Sequence, residues 1–169
     1  MKISMYHPDR SPVGLYVEDQ HEMSRLVRSA GPGNFGLLPN GVFCITDARF
    51  VVQETLAFDT ARPDCRFASQ SGPLLVMAGV LHPRFLTGSE SRYVRNGVGV
   101  SQEGQTAWFV QSDRAVSFHD FARFFRDGLG APDALYFDGN ISRLYAPELG
   151  RDDIGFPMGP MVGLLVPLK

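Results

Sequence analysis

Glycine and proline cut this chain into short lengths, and that limits what it can build. There are 18 glycines and 12 prolines among 169 residues, well above ordinary usage. Few segments run long enough between breaks to form a bundle helix. Short apolar stretches separated by tight turns read instead as strands. Val13–Glu18, Asn34–Leu38, Val42–Thr46, Phe50–Glu54 and Arg66–Gln70 carry β-branched and aromatic residues. Leu74–Met77, Val80–His82, Val98–Ser101 and Thr106–Gln111 continue the series. Pro39-Asn40-Gly41, Ala78-Gly79 and Glu103-Gly104 supply hairpin turns between them. The first two thirds therefore read as an antiparallel meander.

One segment has helical period. Phe118, Phe121, Ala122, Phe125 and Leu129 form an apolar stripe, with Ser117 and Asp120 as a capping box. Gly130 and Pro132 then prevent continuation. The spacing predicts a helix over Ser117–Leu129, followed by a short buried strand, Leu135-Tyr136-Phe137. A weaker stripe, Met23, Leu26 and Val27, predicts a second helix within Asp19–Ser29. The expected fold is α+β: one domain over residues 1–169, with a twisted, mainly antiparallel sheet and one principal helix packed on it.

Composition excludes several functions. Charged residues make up 20% and the formal net charge is −2, so bulk charge gives no reason to bind nucleic acid or a membrane surface. No apolar run approaches the ~20 residues of a transmembrane span. No signal-peptide core fits before His7-Pro8-Asp9-Arg10. Nucleophile-elbow, P-loop and dinucleotide-glycine motifs are missing, and His7, His21, His82 and His119 are scattered. No cofactor or metal is expected. Spacing alone does not pair Cys44 and Cys65; we read them as free thiols, with a disulfide as the alternative in an exported protein.

Three segments could carry chemistry. Asp138-Gly139-Asn140-Ile141-Ser142 leaves a buried strand at a fixed point, where a carboxylate and exposed N–H groups can meet a ligand. The plainer reading is an Asp-Gly turn. His82–Gly99 holds Arg84, Arg92 and Arg95 near Gly97 and Gly99, offering bidentate forks to an anion. The plainer reading is a solvated loop, with His82 structural. Gln70-Ser71-Gly72-Pro73 places polar groups at a sharp turn between strands.

In this order, these segments resemble the phosphodiester glycosidase family, and within it the bacterial envelope and exopolysaccharide-associated branch. Ser11–Glu18, Gly33-Asn34-Phe35 with Pro39–Phe43, and Ser91-Arg92 with Arg95–Val100 also carry the resemblance. So do Phe118–Gly130 and Gly159-Pro160. The resemblance implies hydrolysis of a glycosyl phosphodiester; a non-catalytic polysaccharide-binding or assembly module on the same scaffold is the alternative. It implies catalytic roles for Asp138, Arg95 and Ser142. Gln70, Ser71, Gly72, Arg92, Asn96, Gly97, Gly139 and Asn140 would bind substrate. It also implies a periplasmic or extracellular location. Asn140 and Ile141 stand where the family shows glycines. The family's further N-terminal strands would precede Met1, so an open strand position is expected beside Val13–Glu18.

Overall fold

The structure is a computed structural model that describes residues 1–139, 142–155 and 157–165. Its strands divide between two five-stranded antiparallel sheets. The first contains β1 (Tyr16–Glu18), β2 (His21–Ser24), β3 (Gly41–Ile45), β4 (Phe50–Glu54) and β5 (Phe67–Ser71), in the order β2-β1-β5-β3-β4. The second contains β6 (Leu74–Met77), β7 (Val80–Leu81), β8 (Arg95–Val100), β9 (Ala107–Gln111) and β10 (Asp133–Gly139), in the order β7-β6-β10-β8-β9. A two-stranded ribbon, β11 (Tyr145–Ala146) with β12 (Arg151–Asp152), follows. Gly72-Pro73 carries the chain from β5 in one sheet to β6 in the other.

Each sheet buries one face against the other. Phe43 and Val52 of the first meet Leu74, Val98, Val100, Leu135 and Phe137 of the second between them. The outer face of the first sheet packs Val42 and Cys44 on Leu15, Leu26 and Phe58. The outer face of the second packs Tyr136 and Val76 on Phe121 and Phe125. The layers thus run helix, sheet, sheet, helix, an α+β arrangement.

The principal helix begins as expected. Ser117 Oγ accepts the Asp120 N–H at 3.0 Å, capping α2 (Phe118–Arg123). From Phe124 to Gly128 the turns widen to π geometry. The crossover leaves β9, passes over the sheet as this helix, and returns in β10 on the far side of β8.

Local signals elsewhere were overridden. Asp19–Ser29 forms no helix: Asp19 and Gln20 take φ of 46° and 69° and turn the β1–β2 hairpin. Two consecutive positive-φ residues match the twist of a tight hairpin. Asn34–Leu38 is irregular chain leading to Pro39, and the β3–β4 turn lies instead at Thr46–Arg49. A short helix, α1 (Thr55–Ala61), follows β4 because the Glu54 carboxylate accepts from both Leu56 and Ala57 N–H groups. The position beside β1 is filled, since β2 and β5 flank it. Cys44 and Cys65 form a disulfide, where free thiols were expected. Cross-strand register places Cys44 opposite Ala68, and the chain preceding β5 brings Cys65 back over it.

Candidate active site

Asp138 is the next-to-last residue of β10, just after the β8–β10 register slips between Tyr136 and Asp138. Such an irregularity re-aims a side chain at a sheet rim. The carboxylate forms an ion pair, through Oδ2, with Lys2 Nζ. The Lys2 side chain is 3% exposed and that of Asp138 17%, so the cation is enclosed and the anion still touches solvent. Oδ1 accepts the N–H of Gly139 at 2.7 Å.

Asn96 holds both partners. Its Oδ1 accepts the Asp138 N–H at 2.7 Å and its Nδ2 donates to the Lys2 carbonyl at 3.1 Å. Tyr6 lies over the ammonium, 4.1 Å from Nζ to the ring centroid. That ring leaves no room behind it: a Cβ on Gly159 would stand 2.5 Å from Tyr6 Cδ1. Ser71 Oγ donates to the Phe137 carbonyl at 3.0 Å and fixes the strand just before Asp138. Gly139 is equally confined, because a Cβ there would meet the Tyr136 hydroxyl at 2.5 Å. Gly97 and Gly72 serve the same close packing, against Leu135 O and Asn40 Cβ, each at 2.6 Å from an added Cβ.

The structure thus brings Asp138, Asn96, Ser71 and Gly139 together, and does not bring the remaining sequence candidates to that carboxylate. Arg95 is paired with Gly139 in the ladder, but its guanidinium turns toward α2. It is 1% exposed, donates to Val116 O at 2.9 Å and Ser91 O at 3.1 Å, and lies 3.6 Å over the Phe118 ring. Burial draws its pKa below the ordinary arginine value. Gln70 is fully buried; its Oε1 accepts from Leu15 and Val27 N–H, and its Nε2 donates to Val27 O and Thr55 Oγ1. Its amide ties three segments together. Arg92 is exposed, 3.7 Å from Asp120. Ser142 lies in a separate cleft with Gln111 and Arg151. Asn140 lies outside the described residues. Among those described, no three His, Cys, Asp or Glu side chains gather as a metal site.

Sequence reasoning missed Lys2. The signal was its rarity: apart from Lys169, every other cation of the chain is arginine or histidine. What hid it is the 136-residue separation from its partner.

The model of the phosphodiester glycosidase family matches residues 2–153. The uncharacterized protein YigE of Escherichia coli (strain K12) is 37% identical over 145 residues, covering 86% of this chain and 56% of that protein. Among solved structures, the catalytic domain of zebrafish N-acetylglucosamine-1-phosphodiester alpha-N-acetylglucosaminidase, auto-inhibited by its pro-peptide, superposes with a TM-score of 0.51 at 15% identity. A hypothetical protein from Synechocystis gives 0.50 at 13%. Both alignments cover 82% of this chain, and 49% and 45% of those chains respectively. The chain spans about half the length of the proteins it matches.

Proposed function

The chain belongs to the phosphodiester glycosidase family, and on that premise we propose that it hydrolyses a glycosyl phosphodiester with Asp138 as its reacting carboxylate. The observation that carries this reading is the Lys2–Asp138 ion pair, clamped by Asn96 with the carboxylate toward solvent. Water adds to the anomeric carbon, the bond from that carbon to the phosphate oxygen breaks, and the phosphate monoester leaves as an anion. A phosphate leaves without the proton an alkoxide would need. One carboxylate then suffices where glycosidases ordinarily use two. Asp138 takes the proton from the attacking water, or attacks the anomeric carbon itself. The Lys2 ammonium, enclosed and paired with Oδ2, holds that carboxylate in place for the reaction. Removing a positioned charged group of this kind costs about 3 kcal/mol in the transition state.

The Cys44–Cys65 disulfide supports an oxidising compartment, such as the bacterial envelope or the extracellular space. Among the described residues no helix is long and apolar enough to cross a membrane. The saturated ion pair favours a second reading, a non-catalytic polysaccharide-binding or assembly module, because the Lys2 cation beside Asp138 is already paired with it.

A panel of sugar-1-phosphodiesters assayed for released sugar separates the two. Asp138→Asn keeps the shape and removes the charge, so turnover should fall by at least ~100-fold with the fold intact. Full activity in that variant would overturn the assignment. Binding of the panel with no turnover by the unaltered chain would establish the binding module instead.

A further inference from the structure

Beyond the β8 rim, away from Lys2, lies a cleft of about 370 Å³ lined by Val94, Gln111, Ser112, Asp113, Ser142 and Arg151. Two of its polar atoms, Gln111 Oε1 and Ser142 Oγ, are buried with no hydrogen-bond partner among the described residues. An unmade hydrogen bond in a protein interior is costly, so two in one cleft call for a ligand or an explanation. We propose that this cleft is a sugar subsite, in which Gln111 and Ser142 bind ring hydroxyls of the substrate; it rests on the hydrolase reading above.

Register fixes its relation to the reacting carboxylate. Asn96 pairs with Gln111 on β9 and with Asp138 on β10. The three residues form one row across the sheet, so the Gln111 and Asp138 backbones lie about 10 Å apart at two strand spacings. Alternation puts Gln111 on the same face as Phe109, which packs on Phe43 between the sheets. Asn96 shares that face with Val98 and Val100. Asn96, fully buried, fills the row between Gln111 and Asp138, so a sugar in this cleft is a unit removed from the one whose anomeric carbon meets Asp138.

Charge selects the ligand class. Arg151 is already committed, to Asp113 at 3.0 Å and to both oxygens of Asp153 at 3.0 and 2.7 Å. One cation between two carboxylates repels an anion, so the phosphate does not belong here. Asp113 is 83% exposed, with lone pairs to spare. An amide oxygen, a hydroxyl and a free carboxylate oxygen together accept hydrogen bonds from a neutral polyol.

The test is a titration of the ¹⁵N-labelled chain with methyl glycosides of glucose, galactose, mannose and N-acetylglucosamine, and separately with inorganic phosphate. At least one glycoside should shift the Gln111, Ser112 and Ser142 amides saturably, with a dissociation constant on the order of millimolar. Phosphate should leave them unmoved. Gln111→Leu and Ser142→Ala should each weaken binding about tenfold; Ser142→Ala, outside the sheets, serves if the strand variant folds poorly. No saturable shift with any glycoside, or unchanged affinity in the variants that fold, would overturn the subsite. Turnover whose KM is the same in both variants would keep the hydrolase reading and discard the subsite. Glycoside binding that both variants lose, in a chain without turnover, would keep the subsite and discard the hydrolase.

Discussion

A guanidinium without a carboxylate can stay buried only if its N–H groups find other acceptors, and Arg95 meets that condition. Two backbone carbonyls and the Phe118 face replace the missing anion. A lysine ammonium cannot reproduce the planar fork. Arg95→Lys should therefore cost about 2–3 kcal/mol of stability, in line with charge-assisted hydrogen bonds, and leave KM for the phosphodiester little changed. Urea unfolding and steady-state kinetics check this together; a raised KM at unchanged stability would return Arg95 to the substrate. His82 is likewise structural. Its Nε2 faces the Leu38 carbonyl at 3.0 Å and its Nδ1 accepts the Arg84 N–H at 3.2 Å. Both nitrogens are satisfied only in the neutral ring, and burial lowers its pKa below the ordinary histidine value. Below about pH 6.5 the unfolded chain takes up a proton that the folded chain resists. This stabilisation is thus complete above that value and is lost as pH falls toward the lowered folded pKa. The urea midpoint should drop between pH 7.5 and 5.5 more steeply in the unaltered chain than in His82→Gln. The strand that carries Asp138 was legible because its residues announce burial. Arg95 misled because sequence cannot tell on which side of a strand a guanidinium finds its partners.

Elements were legible where the chain's own turn chemistry sets them. Ala78-Gly79 takes φ of 48° and 76° and closes the β6–β7 hairpin, and Gly104 at 71° closes β8–β9. The α2 stripe was equally clear: Phe121 and Phe125 are buried against the second sheet, while the partly buried Phe118 meets Tyr136 of β10 edge-on. Phe121 is 3% exposed and rests edge-on to Phe125 at 5.2 Å. Phe121→Ala should cost ~3–5 kcal/mol, read from the denaturation midpoint, with less if Phe125 collapses into the space. Periodicity could not reveal α1, which buries only Thr55 and Phe58. Two buried side chains give no stripe; the cap on Glu54 defines the helix instead. The Asp19–Ser29 stripe failed for the opposite reason: three apolar residues at helical spacing lost to a two-residue turn that lets Leu26 join the first sheet's outer core.

At the scale of the molecule, the candidate site depends on two segments far apart in sequence that meet across the fold. Met1 and Val162 exchange backbone hydrogen bonds of 2.9 and 2.7 Å, and the Ile3 N–H donates to Pro160 O at 3.1 Å. Lys2 stands between them, bridged to Met161. No local pattern encodes this pairing, which is why the cation that meets Asp138 was not visible from sequence. The antiparallel, α+β character was legible from turn spacing; the division into two sheets was not, because it depends on where Gly72-Pro73 redirects the chain. The arrangement makes residues 159–163 a support for Lys2. A chain shortened to end at Met158 should keep both sheets, as judged by circular dichroism, because the cores between and outside them use no residue beyond Phe137. Its turnover of a glycosyl phosphodiester should nonetheless fall about as far as in Lys2→Met, roughly 100-fold. Two changes that act through one interaction are not additive, so combining them should give little further loss. A shortened chain with full turnover would mean that Asn96 and Tyr6 alone hold the ammonium beside Asp138. Losses that multiply in the combined variant would give the C-terminal segment a role of its own, apart from Lys2.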